Sequence, residues 1–301
     1  LVAAAGFHNL LMIGPPGAGK SMIASRIPGI LPSMTEEEAI ELSAIYSVIG
    51  KLPPNGSLIK ERPFRAPHHT ITAKALCGGG TIPGPGEISL AHCGVLFLDE
   101  LPEFHRETLE VLRQPLENGS MQIHRCGYTY DFPAQFMLVA AMNPCPCGFY
   151  PNLSRCHCSY TAVRRYQEKI SMPLLDRMDM MIEVSALSYP QWNQKTQEMS
   201  STQMKKKVER VREIQKERRK GQSFLFNSRM GNQELEEYCA LGTQEKKLMK
   251  KAFDELKISA RGYTKILKVA RTIADLEEKE QIQTEHLQEA LCYRIGNGIY
   301  R

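Results

Sequence analysis

The sequence lacks any apolar run long enough to cross a membrane. A spanning helix needs roughly 18 consecutive apolar residues, and no stretch comes near that length. The first five residues (LVAAA) also lack the basic start of a signal peptide. We therefore expect a cytoplasmic protein with no membrane partner.

Most of the chain carries no excess of positive or negative charge. The formal net charge is +5 over 301 residues. Residues 205–220 hold nine Lys or Arg against three Glu, a net charge of +6, so the remainder is close to neutral. One basic helix does not make a basic protein. Charge alone therefore gives weak support for a nucleic-acid partner.

Extreme composition is absent as well. Hydrophobic residues make up 42% and charged residues 24%, as in ordinary globular proteins rather than disordered or fibrous chains. A length of 301 residues predicts one large domain and a smaller one. Nine cysteines are an odd number, and four of them lie within fourteen positions. This spacing favours reduced thiols with a local role over a disulfide framework.

Short apolar runs separated by Gly/Pro-rich loops and amphipathic stretches dominate the first two hundred residues. Residues 9–13 (NLLMI), 95–98 (VLFL) and 136–140 (FMLVA) suit strands that are buried on both faces of a parallel sheet. Each run ends in polar residues. Because ligands of open α/β sheets bind beyond the carboxyl ends of the strands, this order predicts a nucleotide site there.

The chain after about residue 233 has the periodicity of helices only. One helical face carries Leu248, Ala252, Phe253 and Leu256, and a second carries Ile266, Val269, Ile273 and Leu276. We predict an α/β domain over residues 1–187, a polar linker with a basic helix over residues 188–230, and a small all-helical domain over residues 231–301.

Residues 14–21 (GPPGAGKS) match the phosphate-loop pattern G-x-x-x-x-G-K-[ST], after a predicted strand and before a helical run. Backbone N–H groups of such a loop converge on a phosphate, while Lys20 neutralises its oxygens and the Ser21 hydroxyl can bind Mg²⁺. We therefore predict a nucleotide site whose residues follow one another along the loop: Gly14, Pro15, Pro16, Gly17, Ala18, Gly19, Lys20, Ser21 and Met22.

Two adjacent carboxylates stand at the tip of the predicted strand 95–98. Asp99 would hold the magnesium ion, directly or through water, and Glu100 would polarise an attacking water. Taken alone, such a pair is as often a helix-capping group. The phosphate loop upstream favours the hydrolytic role.

Three more side chains are candidates for the same chemistry. Asn143 follows the run 136–140, so its amide could reach a γ-phosphate or orient the water; the alternative is a turn-forming Asn before Pro. Arg177 lies far downstream of its own phosphate loop and is a candidate to reach a neighbouring subunit's γ-phosphate; the alternative is a surface ion pair. Arg261 begins a C-terminal helix and is the candidate cation through which a helical domain that closes over a nucleotide senses its phosphates.

Further motifs extend over nearly the whole chain: residues 8–11 (HNLL), 63–70 (PFRAPHHT), 86–92 (GEISLAH), 143–148 (NPCPCG), 174–177 (LLDR), 259–261 (SAR) and 268–274 (KVARTIA). With the segments above, they resemble AAA+ ATPases of the Mg chelatase-like competence protein (ComM-like) family, which are relatives of the ATPase subunits of magnesium chelatase. The resemblance implies a P-loop NTPase fold, with a parallel sheet flanked by helices and a small C-terminal all-helical domain.

The resemblance also implies what the site residues do. Lys20, Asp99 and Glu100 would carry ATP binding and Mg²⁺-dependent hydrolysis, and Asn143 would be the first sensor. Arg177 would be the finger that acts in trans, and Arg261 the second sensor. Family resemblance further implies a ring, expected to be a hexamer, that acts on DNA in helicase or branch-migration reactions.

Insertions and an upstream segment follow from the same resemblance. One insertion is expected near residues 70–91, and a hairpin near residues 119–133 would face the central pore of a ring. Family members usually carry an N-terminal domain that resembles the Lon protease fold. Because the chain starts with Leu and reaches a motif within a few residues, we expect it to be a fragment without that domain.

Two other functions stay open at this point. One is a motor subunit that drives metal insertion into a porphyrin, as in magnesium chelatase, and the other is a nucleotide-regulated scaffold with negligible hydrolysis. The joint presence of Glu100, Asn143 and Arg177 speaks against the scaffold. DNA-stimulated hydrolysis would favour the DNA motor over the chelatase subunit.

Four cysteines form the pattern C-x-C-x₈-C-x-C in a loop rich in Pro, Gly and Asn. Four thiolates brought together can form a tetrahedral site, for which Zn²⁺ is the best-suited metal. Free thiols and redox chemistry are the alternatives, and His157 could replace one thiol. His68, His69 and His92 have no carboxylate at ligand spacing and are expected to be loop or core histidines. The candidate zinc ligands are Cys145, Cys147, Cys156 and Cys158.

Overall fold

Short apolar segments and longer amphipathic ones alternate in the folded chain, as the sequence predicts. A computed structural model of the protein describes residues 1–80, 83–125, 127–186, 199–219 and 226–294. The helices and strands are, in chain order, α1 (Val2–Gly6), β1 (Leu10–Ile13), α2 (Lys20–Ile30), α3 (Glu36–Val48), β2 (Phe64–Arg65), α4 (Ala73–Cys77), β3 (Gly78–Gly79), β4 (Gly84–Pro85), α5 (Glu87–Leu90), β5 (Val95–Leu98), α6 (Arg106–Glu110), α7 (Arg113–Asn118), β6 (Ser120–Arg125), β7 (Tyr128–Pro133), β8 (Met137–Met142), α8 (Tyr160–Gln167), α9 (Met172–Leu175), β9 (Met180–Glu183), α10 (Ser201–Arg218), α11 (Asn232–Tyr238), α12 (Thr243–Leu256), α13 (Ala260–Leu276) and α14 (Thr284–Arg294).

Five strands form one parallel sheet in the order β2-β5-β8-β1-β9. The register places Leu11 opposite Ala140 in β8 and opposite Met181 in β9. All residues of β1, β5 and β8 are buried, which explains their continuous apolar runs. The three strands expected from the sequence are therefore confirmed, together with the parallel sheet.

Alternate residues of the central strands enter two separate cores, one on each face of the sheet. Leu10 and Met12 join the core that contains α1, α2, α10 and the C-terminal helices. Leu11 and Ile13 join the core formed with α4 to α9. Since side chains of a strand alternate between its two faces, the sheet is covered on both sides, as a parallel sheet must be.

The C-terminal helices form the helical region predicted from periodicity. Ser259 caps α13 by accepting a hydrogen bond from the amide of Gly262 at 3.0 Å. Ile266, Val269 and Ile273 are buried on one face of that helix. Phe253, expected on a buried face of α12, is instead 42% exposed and lies edge-on to another ring. The expected all-helical region is confirmed, with this one exception in its core.

The basic helix α10 packs against the sheet domain and against α13. Its first turn has a capping box formed by Ser200 and Gln203, and Val208 and Val211 are buried in the core next to α2. Arg212 pairs with Glu38 at 3.1 Å. Residues 188–198 and 220–225 of the expected linker lie outside the described residues. The domain boundaries therefore stay a prediction.

Several arginines of α10 and of the residue after it pair with acids from other elements. Arg210 pairs with Glu278 at 3.2 Å, and Arg218 pairs with buried Asp275. Arg219, just after the helix, pairs with Glu234. These arginines serve packing between elements, which weakens the link between the basic helix and a nucleic-acid partner.

Residues 119–133 form the β-hairpin that the sequence predicts. Strands β6 and β7 pair antiparallel, with Ser120 opposite Pro133 and Arg125 opposite Tyr128. Tyr128 is 70% exposed near the tip. In the described part of the chain, no helix has the length and apolar character of a membrane span.

Candidate nucleotide site

The phosphate loop connects the carboxyl end of β1 to the start of α2. Gly19 takes a positive φ of 85° at the N-cap of this helix, a conformation that favours glycine. Lys20 is the first helical residue, and the amide of Ile23 donates to the Gly19 carbonyl at 2.9 Å. The free amides of the first helical turn consequently point toward the loop, where an anion is favoured.

Lys20 is buried at the centre of the loop, and its ammonium group donates three hydrogen bonds. The acceptors are Gly14 O at 2.7 Å, Pro15 O at 2.9 Å and Asn143 Oδ1 at 3.2 Å. Burial lowers the pKa of Lys20, and the charge of Asp99 opposes that shift. The structure thus brings the loop lysine and Asn143, residues 123 positions apart, into direct contact.

The hydroxyl of Ser21 and the carboxylate of Asp99 also meet. Ser21 Oγ donates to Asp99 Oδ2 at 2.5 Å. The other carboxylate oxygen accepts a bond from the amide of Glu100 at 2.9 Å, which fixes the orientation of Asp99. Two hard oxygen ligands side by side fit Mg²⁺, which prefers carboxylate and hydroxyl oxygens. Ser21 and Asp99 are thus the residues that would hold it.

Glu100 lies at the tip of β5 in a left-handed conformation, with φ 52° and ψ 46°. This conformation is costly for a residue other than glycine and is commonest at functional sites. His69 Nδ1 lies 3.2 Å from Glu100 Oε2, within the range of an ion pair with a protonated imidazole. The sequence predicted only a loop or core histidine here. The HH pair in residues 63–70 was a signal for it, but no spacing rule links His69 to Glu100.

Arg177 and Arg261 come together at the opposite, amino-terminal end of the sheet. Both guanidinium groups contact the carboxylate of Glu117 through Nη2. For Arg261 the distance from Nη2 to Oε1 of Glu117 is 3.1 Å. Arg177 is buried and Arg261 is exposed. The carbonyl of Arg177 accepts a bond from Asn9 Nδ2 at 3.1 Å, at the start of β1. Glu117 was not expected, because no sequence signal links it to two arginines 60 and 144 positions away.

Arg261 therefore does not lie beside the phosphate loop of its own chain. Five strand steps separate Asn9 from Gly14, or about 16 Å at about 3.3 Å per residue. This position follows from the docking of α13, in which Lys265 binds the Arg177 carbonyl at 2.8 Å. The role of Arg261 stays a prediction.

A buried ion pair anchors this docking. Asp179, at the start of β9, accepts hydrogen bonds from the amide of Asn9 at 2.7 Å and from Lys265 Nζ. Burial alone would raise the pKa of Asp179, but the charge of Lys265 and the hydrogen bond of His8 outweigh it and hold the pKa well below its usual range. The carboxylate thus stays charged and ties α13 to the sheet.

A cavity of about 300 Å³ opens beside these arginines. Its wall combines side chains from the segment before β1, from the end of α7, from the loop before β9, from residues 228–230 and from α13. Cations outnumber acids among them: Arg177, Arg229, Arg261, Lys265 and Lys268, against Glu117, Asp176 and Asp179. An anionic group from outside the chain would find complementary charge here.

The four cysteines of the predicted metal site lie together, with every pair of sulfur atoms within 4.8 Å. Sγ of Cys145 is 3.3 Å from that of Cys147 and 3.8 Å from that of Cys156. A hydrogen bond from the backbone of Phe149 lowers the pKa of Cys147 to about 6. The geometry fits a tetrahedral S₄ site, in which Zn–S bonds of about 2.3 Å give S···S separations of about 3.8 Å.

The remaining histidine expectation is also tested by the structure. His92 is fully buried, with Nε2 at 3.1 Å from Glu41 Oε2 and Nδ1 accepting a bond from the amide of Gln135 at 3.1 Å. It is a core histidine, as expected. Burial lowers the pKa of His92, against the opposing effect of Glu41.

The fold and the convergence of loop, strand tip and Asn143 define a class. A phosphate loop between the carboxyl end of a parallel strand and a helix, with Asp-Glu at the tip of another strand of the same sheet and a helical C-terminal region, is the arrangement of AAA+ P-loop proteins. The chain belongs to the magnesium chelatase subunit ChlI family. The model of that family matches residues 1–192, and the model of the ChlI C-terminal region matches residues 198–294.

Several curated proteins are similar over nearly the whole chain. Competence protein ComM of Haemophilus influenzae is 50% identical over 97% of this chain and 57% of its own length. The uncharacterized protein YifB of Salmonella typhimurium is 44% identical over the same shares. The magnesium-chelatase 38 kDa subunit of Acidiphilium rubrum is 24% identical over 45% of each chain. The chain thus spans little more than half the length of ComM and YifB.

Proposed function

We propose that this chain is the ATPase module of a ring-forming AAA+ motor that hydrolyses ATP with Mg²⁺. The observation that carries the proposal is the contact set at the carboxyl end of the sheet. Lys20 reaches Asn143 at 3.2 Å, and Ser21 reaches Asp99 at 2.5 Å. The phosphate loop, the tip of β5 and the end of β8 thereby bring a cation, two hard oxygen ligands and an amide to one point. These are the groups that bind a magnesium triphosphate.

In this proposal Lys20 exchanges its bonds to the loop carbonyls for bonds to the β- and γ-phosphate oxygens. Its three current acceptors are neutral, so a charged phosphate is the stronger partner. Magnesium held by Ser21 and Asp99 would neutralise charge that develops on the phosphates. Asn143 is then placed to contact the γ-phosphate or the attacking water.

Glu100 is the proposed group that polarises the attacking water. Its left-handed backbone carries the carboxylate past the strand tip, and His69 Nδ1 lies 3.2 Å from one carboxylate oxygen, which we propose it orients. A carboxylate held in this way keeps its second oxygen for a water. Hydrolysis therefore depends on Glu100 directly and on His69 through its position.

Arg177 and Arg261 are proposed to act on the triphosphate of a neighbouring subunit. They share Glu117 at the end of the sheet away from their own phosphate loop. In a head-to-tail ring, two different faces of neighbouring subunits meet, and we propose that this end meets the nucleotide of the next subunit. Glu117 holds the two guanidinium groups together until a phosphate competes for them. The ring is proposed to be a hexamer, on the strength of the family resemblance.

DNA is the proposed substrate of the motor, in helicase or branch-migration reactions. This part rests on the resemblance to ComM-like proteins and on the competence name of a relative that is 50% identical. The basic helix α10 adds little, since Arg210, Arg212 and Arg218 are engaged by acids. The second candidate, a metal-insertion motor, is favoured by the family models and by the similarity to a magnesium-chelatase subunit.

We also propose a structural Zn²⁺ in the four-cysteine cluster and a cytoplasmic location. The proposed domains are residues 1–187, 188–230 and 231–301. The cysteines of the described residues are free thiols, consistent with a reducing compartment.

The decisive experiment is the variant Glu100→Gln, which keeps the shape of the side chain. We expect binding of Mg·ATP to be retained and steady-state hydrolysis to fall by about 100-fold or more. Glu103→Gln, on an exposed residue of the same segment, is the matched control and should hydrolyse normally. Near-normal hydrolysis by Glu100→Gln would refute the assigned role, and negligible hydrolysis by the wild type in ring-forming conditions would favour the scaffold.

The substrate is tested by the same assay. ATPase rates are compared without DNA and with single-stranded, duplex and branched DNA. Stimulation by one of these DNAs is expected from a DNA motor. A rate that responds only to magnesium-chelatase partner subunits would instead support the metal-insertion motor.

A further inference from the structure

The four-cysteine cluster is joined directly to the nucleotide site through the chain. Cys145 and Cys147 follow Asn143 by two and four positions, and Asn143 accepts a bond from Lys20. The amide of Gly148 donates to the Cys145 carbonyl at 3.0 Å, which closes a tight turn that holds two of the four sulfurs. Any displacement of this turn is therefore transmitted to Asn143.

The same turn is in van der Waals contact with the phosphate loop. Gly148 has φ +85°, and a Cβ atom built on it would lie 2.4 Å from Cδ of Pro16 and 2.8 Å from its Cγ. Real Cβ atoms do not approach so closely, so the backbone of the turn is in direct contact with Pro16. The turn thus touches the nucleotide site at two places, Asn143 in sequence and Pro16 in space.

Hydrogen bonds within this loop and one from Gln167 to the Pro144 carbonyl are supplemented by only a small apolar core. Its apolar core consists of Cys145, Cys156 and Val163, with partly buried Phe149 and Tyr150 packed against them. So small a core does not fix a loop of this length, whereas four bonds from a metal would. The sulfur separations of 3.3, 3.5 and 3.8 Å are close to those of a tetrahedral zinc site.

We infer that zinc in the four-cysteine cluster acts as a clamp that holds the phosphate loop and Asn143 in position for nucleotide binding, through the contact between Gly148 and Pro16. This inference rests on the proposed nucleotide site and adds the element that controls it. Loss of zinc leaves the turn 145–148 without its cross-link, so Pro16 and Asn143 lose their support. Nucleotide affinity then falls even though no cysteine touches the nucleotide.

The first measurement is metal content. The full chain, purified with reduced thiols, should contain about one zinc per chain by elemental analysis, as expected for four thiolate ligands. Cys156→Ser should lose most of it, whereas Cys292→Ser, which changes an exposed cysteine outside the cluster, should keep it. A wild-type chain that holds no zinc with its four thiols reduced overturns the inference.

The second measurement is nucleotide affinity, followed by fluorescence of a labelled ATP in constant Mg²⁺. Removal of zinc with a zinc-selective chelator should raise the Kd about tenfold or more, and added zinc should restore it. An unchanged Kd in the zinc-free chain overturns the clamp and leaves the proposed ATPase intact. Failure of the zinc-loaded wild type to bind the labelled ATP refutes the proposed function instead.

The third measurement separates the clamp from the metal. Gly148→Ala should retain zinc but raise the Kd by about tenfold, because its methyl group pushes Pro16 away. Gly56→Ala is the matched control, since Gly56 has φ +66° with nothing within 4 Å of an added Cβ. A normal Kd in zinc-loaded Gly148→Ala contradicts transmission through Pro16.

Discussion

The buried carboxylate of Asp179 gives a quantitative test of how the C-terminal helices are attached to the sheet. It accepts bonds from the amide of Asn9 at 2.7 Å and from Lys265 Nζ. Asp179→Asn keeps the size of the side chain and removes its charge, so the buried ammonium group of Lys265 loses its partner. Breaking a buried pair in this way costs about 3–5 kcal/mol. We expect the free energy of unfolding to fall by about that amount.

Urea unfolding followed by circular dichroism at 222 nm measures this loss. Glu168→Gln is the control, because Glu168 pairs with Arg164 at 2.9 Å on the surface, where both side chains are about two-thirds exposed. Its effect should stay within about 0.5 kcal/mol. A loss below about 1 kcal/mol in Asp179→Asn would refute the claim that this pair anchors α13.

The pH dependence of the same variant follows from the lowered pKa of Asp179. A depressed folded-state pKa gives stability that is complete above the unfolded-state pKa, about 4, and is lost as pH falls toward the folded-state pKa. The difference between wild type and Asp179→Asn should therefore stay constant from pH 8 to pH 5 and narrow below about pH 4. A difference that narrows between pH 5 and pH 8 would contradict this assignment.

Two further predictions concern catalysis. Arg177→Ala should lose most ATP hydrolysis but regain part of it when mixed with Lys20→Ala, because the two defects then fall on opposite sides of a shared site. Steady-state hydrolysis rates across mixing ratios measure this recovery. No recovery at any ratio would count against action in trans. His69→Ala should lower kcat by about tenfold with little change in KM, because it orients Glu100 rather than binding nucleotide; a change confined to KM would oppose that role.

The central part of the fold could be predicted because local signals and tertiary structure agree there. The runs at 95–98 and 136–140 are apolar without interruption because both faces of the sheet are covered. The phosphate loop is specified by its own eight residues. The edge strand β2, with two residues of intermediate exposure, has no such signal and was not predicted.

The candidate site likewise contains some residues that the sequence could predict and others that it could not. Residues that follow strand ends, such as Asp99 and Asn143, could be expected near the phosphate loop because parallel strands bring their carboxyl ends to one edge. The contact of Arg261 with Glu117 depends on how α13 docks, and the contact of Arg177 with Glu117 depends on how the segment before β9 packs against α7. No local pattern encodes either arrangement. The contact between His69 and Glu100 was missed for a related reason, since it joins two loops that lie 31 positions apart in the sequence.

The most direct test of the central claim is equilibrium binding of Mg·ATP to the wild type and to Lys20→Ala by isothermal titration calorimetry. We expect one nucleotide per chain for the wild type and a Kd raised about 100-fold in Lys20→Ala, because the cation that meets the phosphates is gone. Lys60→Ala, which removes an exposed lysine, should bind as the wild type does. Wild-type affinity in Lys20→Ala would contradict the assignment of the nucleotide to this loop.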